Sequence, residues 1–394
     1  MNKPLYVLKF GGTSIGSIER IKAVANRIIK TKSSGVNVVV VVSAMSGETN
    51  RLMSLAQEID DVPNARELDV LLSAGEQVAM SLLSIAISKH GYSSVSLTSG
   101  QAQILTDNVH NDATIRQINT SHIEGLLADN KIVIVAGFQG TTEYGDITTL
   151  GRGGSDTTAV ALAGALGADE CQIFTDVDGI YTCDPRVVKS ARKLDRIDFP
   201  NMEEMSRKGA KVLHLPSVQF AWAQNVPLRV LSSFSHDKGT LVKGEACDKG
   251  ICGIALQRSL IFVQVDADDL DSLKKQCRLL GIALWNVIEE TDQSGVVILQ
   301  ESFAKLSLVF IEKIRNSEAV SALTIVGSKA KGILQQSCEL FAQHDIKILN
   351  RAAGINYSTF ILKPELLEKT ANLIHEKQIK FKVELEEQRK LAIS

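Results

Sequence analysis

Residues 5–14, LYVLKFGGTS, decide how this chain is read. LYVLKF reads as a strand, and Gly11-Gly12-Thr13-Ser14 ends it with turn residues. Beyond the turn, Ile18, Ile21, Val24, Ala25 and Ile28 recur at three- and four-residue spacing, which predicts a helix. Strand, glycine turn and helix in that order make an anion cradle, and Lys9 at the strand's end points a cation into it. The GxxxxGK[ST] spacing of a P-loop is absent, as are HRD and DFG. Taken alone, Lys-Phe-Gly-Gly is either a phosphate site or an ordinary tight turn.

Working outward, the same alternation continues to about residue 245. Val36–Val42 is a near-continuous apolar run, the pattern of a strand buried on both faces. KIVIVAGF (131–138) and CQIFTD (171–176) repeat it, with helical segments at 65–90 and 155–167 between them. The order implies a mainly parallel sheet with helices on both sides, a three-layer αβα fold, with ligands at the carboxyl ends of its strands. Gly11, Ser43, Gly137 and Gly140 all fall at such ends.

A second glycine cluster belongs with the first. In ITTLGRGGSDTT (147–158), Arg152 sits among Gly151, Gly153 and Gly154, and Ser155, Asp156, Thr157 and Thr158 open the small-residue helix AVALAGALGA. The glycines let backbone N–H groups approach a ligand, the helix start adds the positive end of a dipole, and the arginine can hold a carboxylate through two parallel hydrogen bonds. This chemistry suits a small, doubly anionic molecule.

The 394 residues are too many for one core, so two or three domains are expected. A formal net charge of −2 argues against a nucleic-acid partner. No stretch reads as a membrane span or signal peptide, so no membrane partner is expected and a cytoplasmic location is. The six cysteines show no framework or ligand spacing and read as free thiols in a reducing compartment, with no metal site.

The pattern changes near 236–252, where a polar, glycine-containing stretch suggests a boundary. Beyond it, SLIFVQV, IALWNVIEE and SGVVILQ read as strands, and DDLDSLKKQCRLLG and FAKLSLVFIEKI as helices. A second copy of the order begins at ALTIVGS. Two α+β modules of βαββαβ type are expected in tandem, over 255–320 and 321–394, after a first domain of 1–245. The Lys/Glu-rich stretch 376–390 reads as a solvated helical tail, and Trp222 and Trp285 as core residues.

Through these residues and the motifs around them, the chain resembles the aspartate kinases of the amino-acid kinase superfamily. The resemblance covers the first 245 residues, through KFGGTS (9–14), VSAMSGETNRL (42–52), LLSAGEQVA (71–79), GFQGTT (137–142), TTLGRGGSDTTA (148–159), FTDVDGIYTCDPR (174–186), GAKVLH (209–214) and NVPLRVLSSF (225–234). The tail resembles the tandem ACT domains of that family. The resemblance implies ATP-dependent phosphorylation of the side-chain carboxylate of L-aspartate, the entry to lysine, threonine and methionine biosynthesis, by a homodimer associated through the ACT-like domains. It implies that Lys9 and Asp156 are catalytic. Ser43, Thr49, Glu76, Arg152 and Ser155 would bind the substrate, Glu76 holding its amino group and Arg152 a carboxylate. Lys9, Phe10, Gly11, Gly12, Gly153, Gly154, Thr175, Asp176, Tyr181, Arg186, Lys211 and Val212 would bind ATP, and Mg²⁺ would arrive with the nucleotide rather than in a protein cage.

The residue types suit that chemistry. A carboxylate with a reference pKa near ~3.9 is already ionised at neutral pH, so no general base is needed. The obstacle is repulsion between two anions, which cations, amides and alignment overcome. Other readings stand beside it. Glu76 in isolation is a solvated helix residue, Thr175–Gly179 a plain turn, and His214 a helix-start or core residue. Kinases for glutamate, acetylglutamate, carbamate or UMP, and a non-catalytic amino-acid sensor, are the competing functions. The effector turns depart from the family: Asp266-Ala267-Asp268-Asp269-Leu270 lacks the usual Pro-Gly, and Ala353-Gly354-Ile355-Asn356 stands where many relatives have Ser-Glu-Ile. Weak or absent inhibition by lysine or threonine is expected. Pro216 is a further local variation.

Overall fold

The computed structural model describes residues 3–245, 250–290 and 293–380. Within these, packing draws two units. One holds the residues up to 180, 194–202 and 212–245, and the other holds 181–193, 203–211 and 250–380. Residues 181–193 and 203–211 thus group with those after 250.

In chain order, the strands up to residue 245 are β1 (Leu5–Phe10), β2 (Asn37–Val42), β3 (Ser94–Leu97), β4 (Ile104–Thr106), β5 (Ile115–Ile118), β6 (Ile132–Ala136), β7 (Gln139–Thr141), β8 (Ile147–Thr149), β9 (Glu170–Thr175), β10 (Arg196–Ile197), β11 (Leu228–Ser232) and β12 (Thr240–Val242). Between them lie α1 (Ile18–Ser33), α2 (Glu48–Gln57), α3 (Ala65–Ser88), α4 (Ser121–Ala128), α5 (Gly154–Ala165), α6 (Phe199–Arg207) and α7 (Leu215–Ala223). Eight strands form one sheet in the order β10-β12-β11-β9-β1-β2-β6-β3, parallel apart from the β11–β12 pair.

The sequence explains the layers. Val38, Val40 and Val42 of β2 pack with Ile21, Val24 and Ile28 of α1 and with Leu83 and Ile87 of α3. Val39 and Val41, on the other face, are equally buried, and α5 packs across β1, β2 and β9. Its alanines and glycines let it approach closely. Side-chain caps fix two helix starts: Ser17 accepts from Arg20 N–H ahead of α1, and Asn64 accepts from Arg66 and Glu67 N–H ahead of α3.

Two expectations need correction. Gly140 lies inside β7, not at a ligand-binding strand end. There it admits Thr106, whose Cγ2 would be 2.2 Å from any Cβ. The small sheet β5-β4-β7-β8 to which it belongs is invisible to periodicity, since its strands are three or four residues long. Also, α3 is long and apolar enough by composition to cross a membrane, although no stretch was expected to be. In the fold Leu72, Ala79, Met80, Leu83 and Ile87 of this helix are buried. Cys171, Cys183, Cys277 and Cys338 are free thiols. Cys247 lies outside the described residues.

The second unit is built on β13 (Gly253–Gln264), β14 (Asn286–Glu290), β15 (Gln293–Leu299), β16 (Asn316–Val326), β17 (Ile348–Ala353) and β18 (Tyr357–Leu362), with α8 (Leu270–Leu279), α9 (Gln300–Phe310), α10 (Leu334–Gln343) and α11 (Leu367–Ile374). The order β-α-β-β-α occurs twice. The last strand expected of each βαββαβ module is shared, because β13 and β16 pair antiparallel along their length in one six-stranded sheet, β14-β15-β13-β16-β18-β17. Position 320/321 thus falls within a strand. Trp285 is half-buried, with the Lys208 ammonium 4.9 Å above its ring. The stretch 266–270 forms a short 3₁₀ turn at Ala267–Asp269 before α8, with Arg315 paired to Asp266. Most of the 376–390 tail lies outside the described residues.

Leu83 has no exposed surface and sits where α1, α3 and the sheet meet. Leu83→Ala is expected to destabilise the first unit by about 2–5 kcal/mol. Urea unfolding followed by circular dichroism measures this, and a loss below about 1 kcal/mol would show that this core is not packed as described.

Candidate active site

The carboxyl ends of β9, β1, β2 and β6 lie side by side in the sheet. Parallel pairing brings the glycine-containing turns that follow them to one edge. Lys9 is the penultimate residue of β1. Its Nζ lies 2.6 Å from Asp156 Oδ1 in the first turn of α5, and both side chains are nearly buried. That oxygen makes no aligned hydrogen bond, so the contact is a close charge pair. The Lys9 chain folds back over Gly11, where a Cβ would lie 3.5 Å from Nζ.

The first turn differs from a simple anion cradle. Gly11 donates its N–H to Phe174 O at 3.3 Å, so this amide is engaged within the fold. Gly12 opens a 3₁₀ turn ahead of α1, and a Cβ there would lie 2.9 Å from Ala44 O. Gly12 is therefore required by the close approach of the turn after β2. Phe10 is fully buried and stacked on Phe174 with ring centroids 4.5 Å apart. Its ring is core, and only its backbone could meet a nucleotide. Ser43 N–H donates to Phe10 O at 3.1 Å, tying the ends of β1 and β2 together. Thr49 is half-buried in the first turn of α2.

Glu76 is not the solvated residue its sequence position alone suggests. It is 3 % exposed. Oε1 accepts from Ala44 N–H at 2.9 Å, while Oε2 is buried with no partner among the described residues. Burial pushes this carboxyl up to about 7 from 4.5, against the opposing pull of the Ala44 and Glu76 backbone N–H groups. A buried acid with one idle oxygen is suited to receive a cationic ligand group.

The arginine turn is held on three sides. Gly153 has φ +72, and a Cβ there would lie 2.4 Å from His214 Cγ. His214 is the N-cap position of α7, as its helix-start reading anticipated, but its ring also fixes the turn. At Gly154 a Cβ would meet the Phe138 ring at 2.9 Å, and at Gly151 it would meet Asp112 Oδ1 at 2.9 Å. Gly154 N–H is engaged by Gly151 O, while the Ser155 amide at the start of α5 has no acceptor among the described residues. Ser155 is buried against Gly137, whose lack of a side chain admits it. Arg152 is exposed on the turn.

Of the residues assigned to the nucleotide, Thr175, Asp176 and Val212 belong to the first unit, and Tyr181, Arg186 and Lys211 to the second. Thr175 Oγ1 donates to Asp176 Oδ1 at 3.0 Å, and Arg186 forms a two-pronged pair with Asp184. Pro216 occupies the first turn of α7, where a missing N–H is harmless.

Sequence reasoning missed Asp69, His110, Asn111 and Phe138. Phe138 and Asn111 hold positive φ, +70 and +67, which no composition pattern announces. Asp69 could have been found by its spacing, since it lies seven residues before Glu76 on the same face of α3.

The description "Amino acid kinase family" fits residues 4–232, more than half of the chain. An aspartate kinase of Pseudomonas putida is 57% identical over 258 residues, covering 64% of this chain and 63% of that protein, so the match spans less than two thirds of the relative's length. Aspartokinase 2 of Bacillus subtilis is 42% identical over 398 residues, covering 94% and 96% of the two chains. The crystal structure of E. coli aspartokinase III in complex with aspartate and ADP is similar in fold, with a TM-score of 0.75 at 23% identity over 95% of this chain and 99% of that one. With a family match over more than half its length and the Bacillus alignment running through nearly all of it, the chain belongs to the amino acid kinase family, in its aspartokinase branch.

Proposed function

We propose that the protein is an aspartate kinase that transfers the γ-phosphoryl group of ATP to the side-chain carboxylate of L-aspartate, giving 4-phospho-L-aspartate. The observation that carries this reading is the Lys9–Asp156 pair at the strand ends. A lysine fixed by a carboxylate neutralises charge between two anions without itself needing to move a proton. Glu76 supports an acceptor with an ammonium group, and Arg152 in its braced turn supports one with a second carboxylate. The aspartate and ADP bound to the E. coli protein of similar fold agree with this choice of ligands.

In this reading Asp156 orients the Lys9 ammonium toward the transferring phosphoryl group, and the Ser155 amide donates to an anionic oxygen. Ser43 and Thr49 border the acceptor, and Thr175, Asp176 and Val212 of the first unit serve the nucleotide. Mg²⁺ accompanies ATP and would neutralise phosphate charge. A cytoplasmic location, a role in lysine, threonine and methionine biosynthesis, and homodimerisation through the C-terminal repeats belong to the same reading. Exposed Leu279, Leu308 and Ile311 in that unit are consistent with the association. The 266–270 turn, without proline or glycine, supports weak inhibition by lysine or threonine.

The purified chain is expected to release ADP from Mg·ATP with aspartate, and not with glutamate or without acceptor. Lys9→Ala should lower turnover by roughly 100-fold or more, with only a modest loss of stability from the unpaired Asp156 carboxylate. Full activity in Lys9→Ala would remove the phosphoryl-transfer assignment.

Glu76 adds a pH test. Its folded-state value lies above the unfolded one, so the folded protein binds more protons between about 4.5 and about 7. Stability is fully present below the lower value and is lost as pH rises toward the upper. Glu76→Gln, which keeps an oxygen for Ala44 N–H, is expected to match the wild type at pH 4.5. At pH 8 it should exceed it by on the order of 2–3 kcal/mol, with a raised KM for aspartate. Identical pH–stability curves for the two proteins would contradict a buried, ligand-ready acid.

A further inference from the structure

Asp69 is buried and takes no part in the reading above. It lies two turns from Glu76 on α3, about 10 Å along the axis. Its Oδ1 accepts from Thr149 Oγ1 at 2.6 Å, its two oxygens accept from Asn111 N–H at 3.1 and 3.2 Å, and His110 Nδ1 lies 2.7 Å from Oδ2. A carboxylate withdrawn from water is tolerated only with such a set of partners. All of them come from the loop 107–114 or from β8, the strand that leads into Gly151.

The loop so anchored presses on the arginine turn. A Cβ on Gly151 would lie 2.9 Å from Asp112 Oδ1 and 3.3 Å from Asn111 O. Asn111 is held at φ +67, a conformation asparagine tolerates better than most residues. Its Oδ1 is buried and has no hydrogen-bond partner among the described residues. Such an acceptor calls for a donor, from water or from a molecule that binds there. The Asn111 backbone borders Gly151, the residue before Arg152, so the molecule considered is the acceptor amino acid, whose strong N–H donor is the ammonium group.

We propose that Asn111 is a specificity-determining residue whose carboxamide oxygen accepts a hydrogen bond from the ammonium group of the acceptor, with Asp69 as the positioning residue that holds it there. This rests on the aspartate kinase reading. An ammonium has three N–H donors, so Asn111 adds to Glu76 and does not replace it.

Asn111→Gly tests this cleanly, because glycine accepts the positive φ while losing the carboxamide. Its thermal midpoint should equal or exceed the wild type's. The KM for aspartate should rise roughly ten-fold or more, with the KM for ATP unchanged. Succinate, which is aspartate without its amino group, should inhibit both proteins equally. Asp69→Asn turns an N–H donor toward the Asn111 amide and should also raise the aspartate KM more than it lowers kcat. An aspartate KM within two-fold of wild type in Asn111→Gly, or weakening of succinate in parallel with aspartate, would overturn the proposal. A wild-type enzyme without aspartate turnover would overturn both this and the reading it rests on.

Discussion

A lysine held by an aspartate at the edge of a parallel sheet is the interaction on which the rest of this structure depends. Lys9 and Asp156 are 147 residues apart in sequence and meet at 2.6 Å because β1 and α5 pack together. Neither side chain is well solvated. A lone ammonium in that position would resist burial, and a lone carboxylate there would repel phosphate. Together they leave a cation at a fixed point, facing turns whose glycines keep the surroundings free of side chains.

The neighbouring features serve the same geometry. Gly12 lets the turn after β2 close over the first, and Gly137 lets Ser155 reach the end of β6. Gly151, Gly153 and Gly154 are pressed by Asp112, His214 and Phe138. The glycines of the two clusters therefore do more than expose amides. Two of the amides, at Gly11 and Gly154, are engaged within the fold, so the turns are rigid before any ligand arrives. Preorganisation of this kind suits a reaction in which positioning and charge compensation carry most of the catalysis.

Much of this was legible in the sequence, and the reasons differ by element. β1, β2, β6 and β9 were readable because strands buried on both faces are apolar runs, and α1 because its apolar residues keep helical spacing. Lys9, Glu76, Arg152 and Asp156 were reached through motif resemblance, and the burial of Glu76 came only from the fold. The small sheet β5-β4-β7-β8 escaped because strands of three or four residues have no measurable period. Asp69, His110 and Asn111 escaped because their meaning lies in contacts between segments about 40 residues apart. The shared sheet of the C-terminal repeats escaped because a strand that ends one module and begins the next looks, in sequence, like either. The membership of 181–193 and 203–211 in the second unit has no sequence signal at all.

The central claim is that Asp156 acts through Lys9, and a double-mutant cycle on turnover tests it most directly. Measure kcat with aspartate and Mg·ATP for the wild type, Lys9→Ala, Asp156→Asn and the double variant. If the two side chains work as one unit, the double variant is no slower than Lys9→Ala alone. If the two losses multiply instead, the residues act independently and the pair is not the device described.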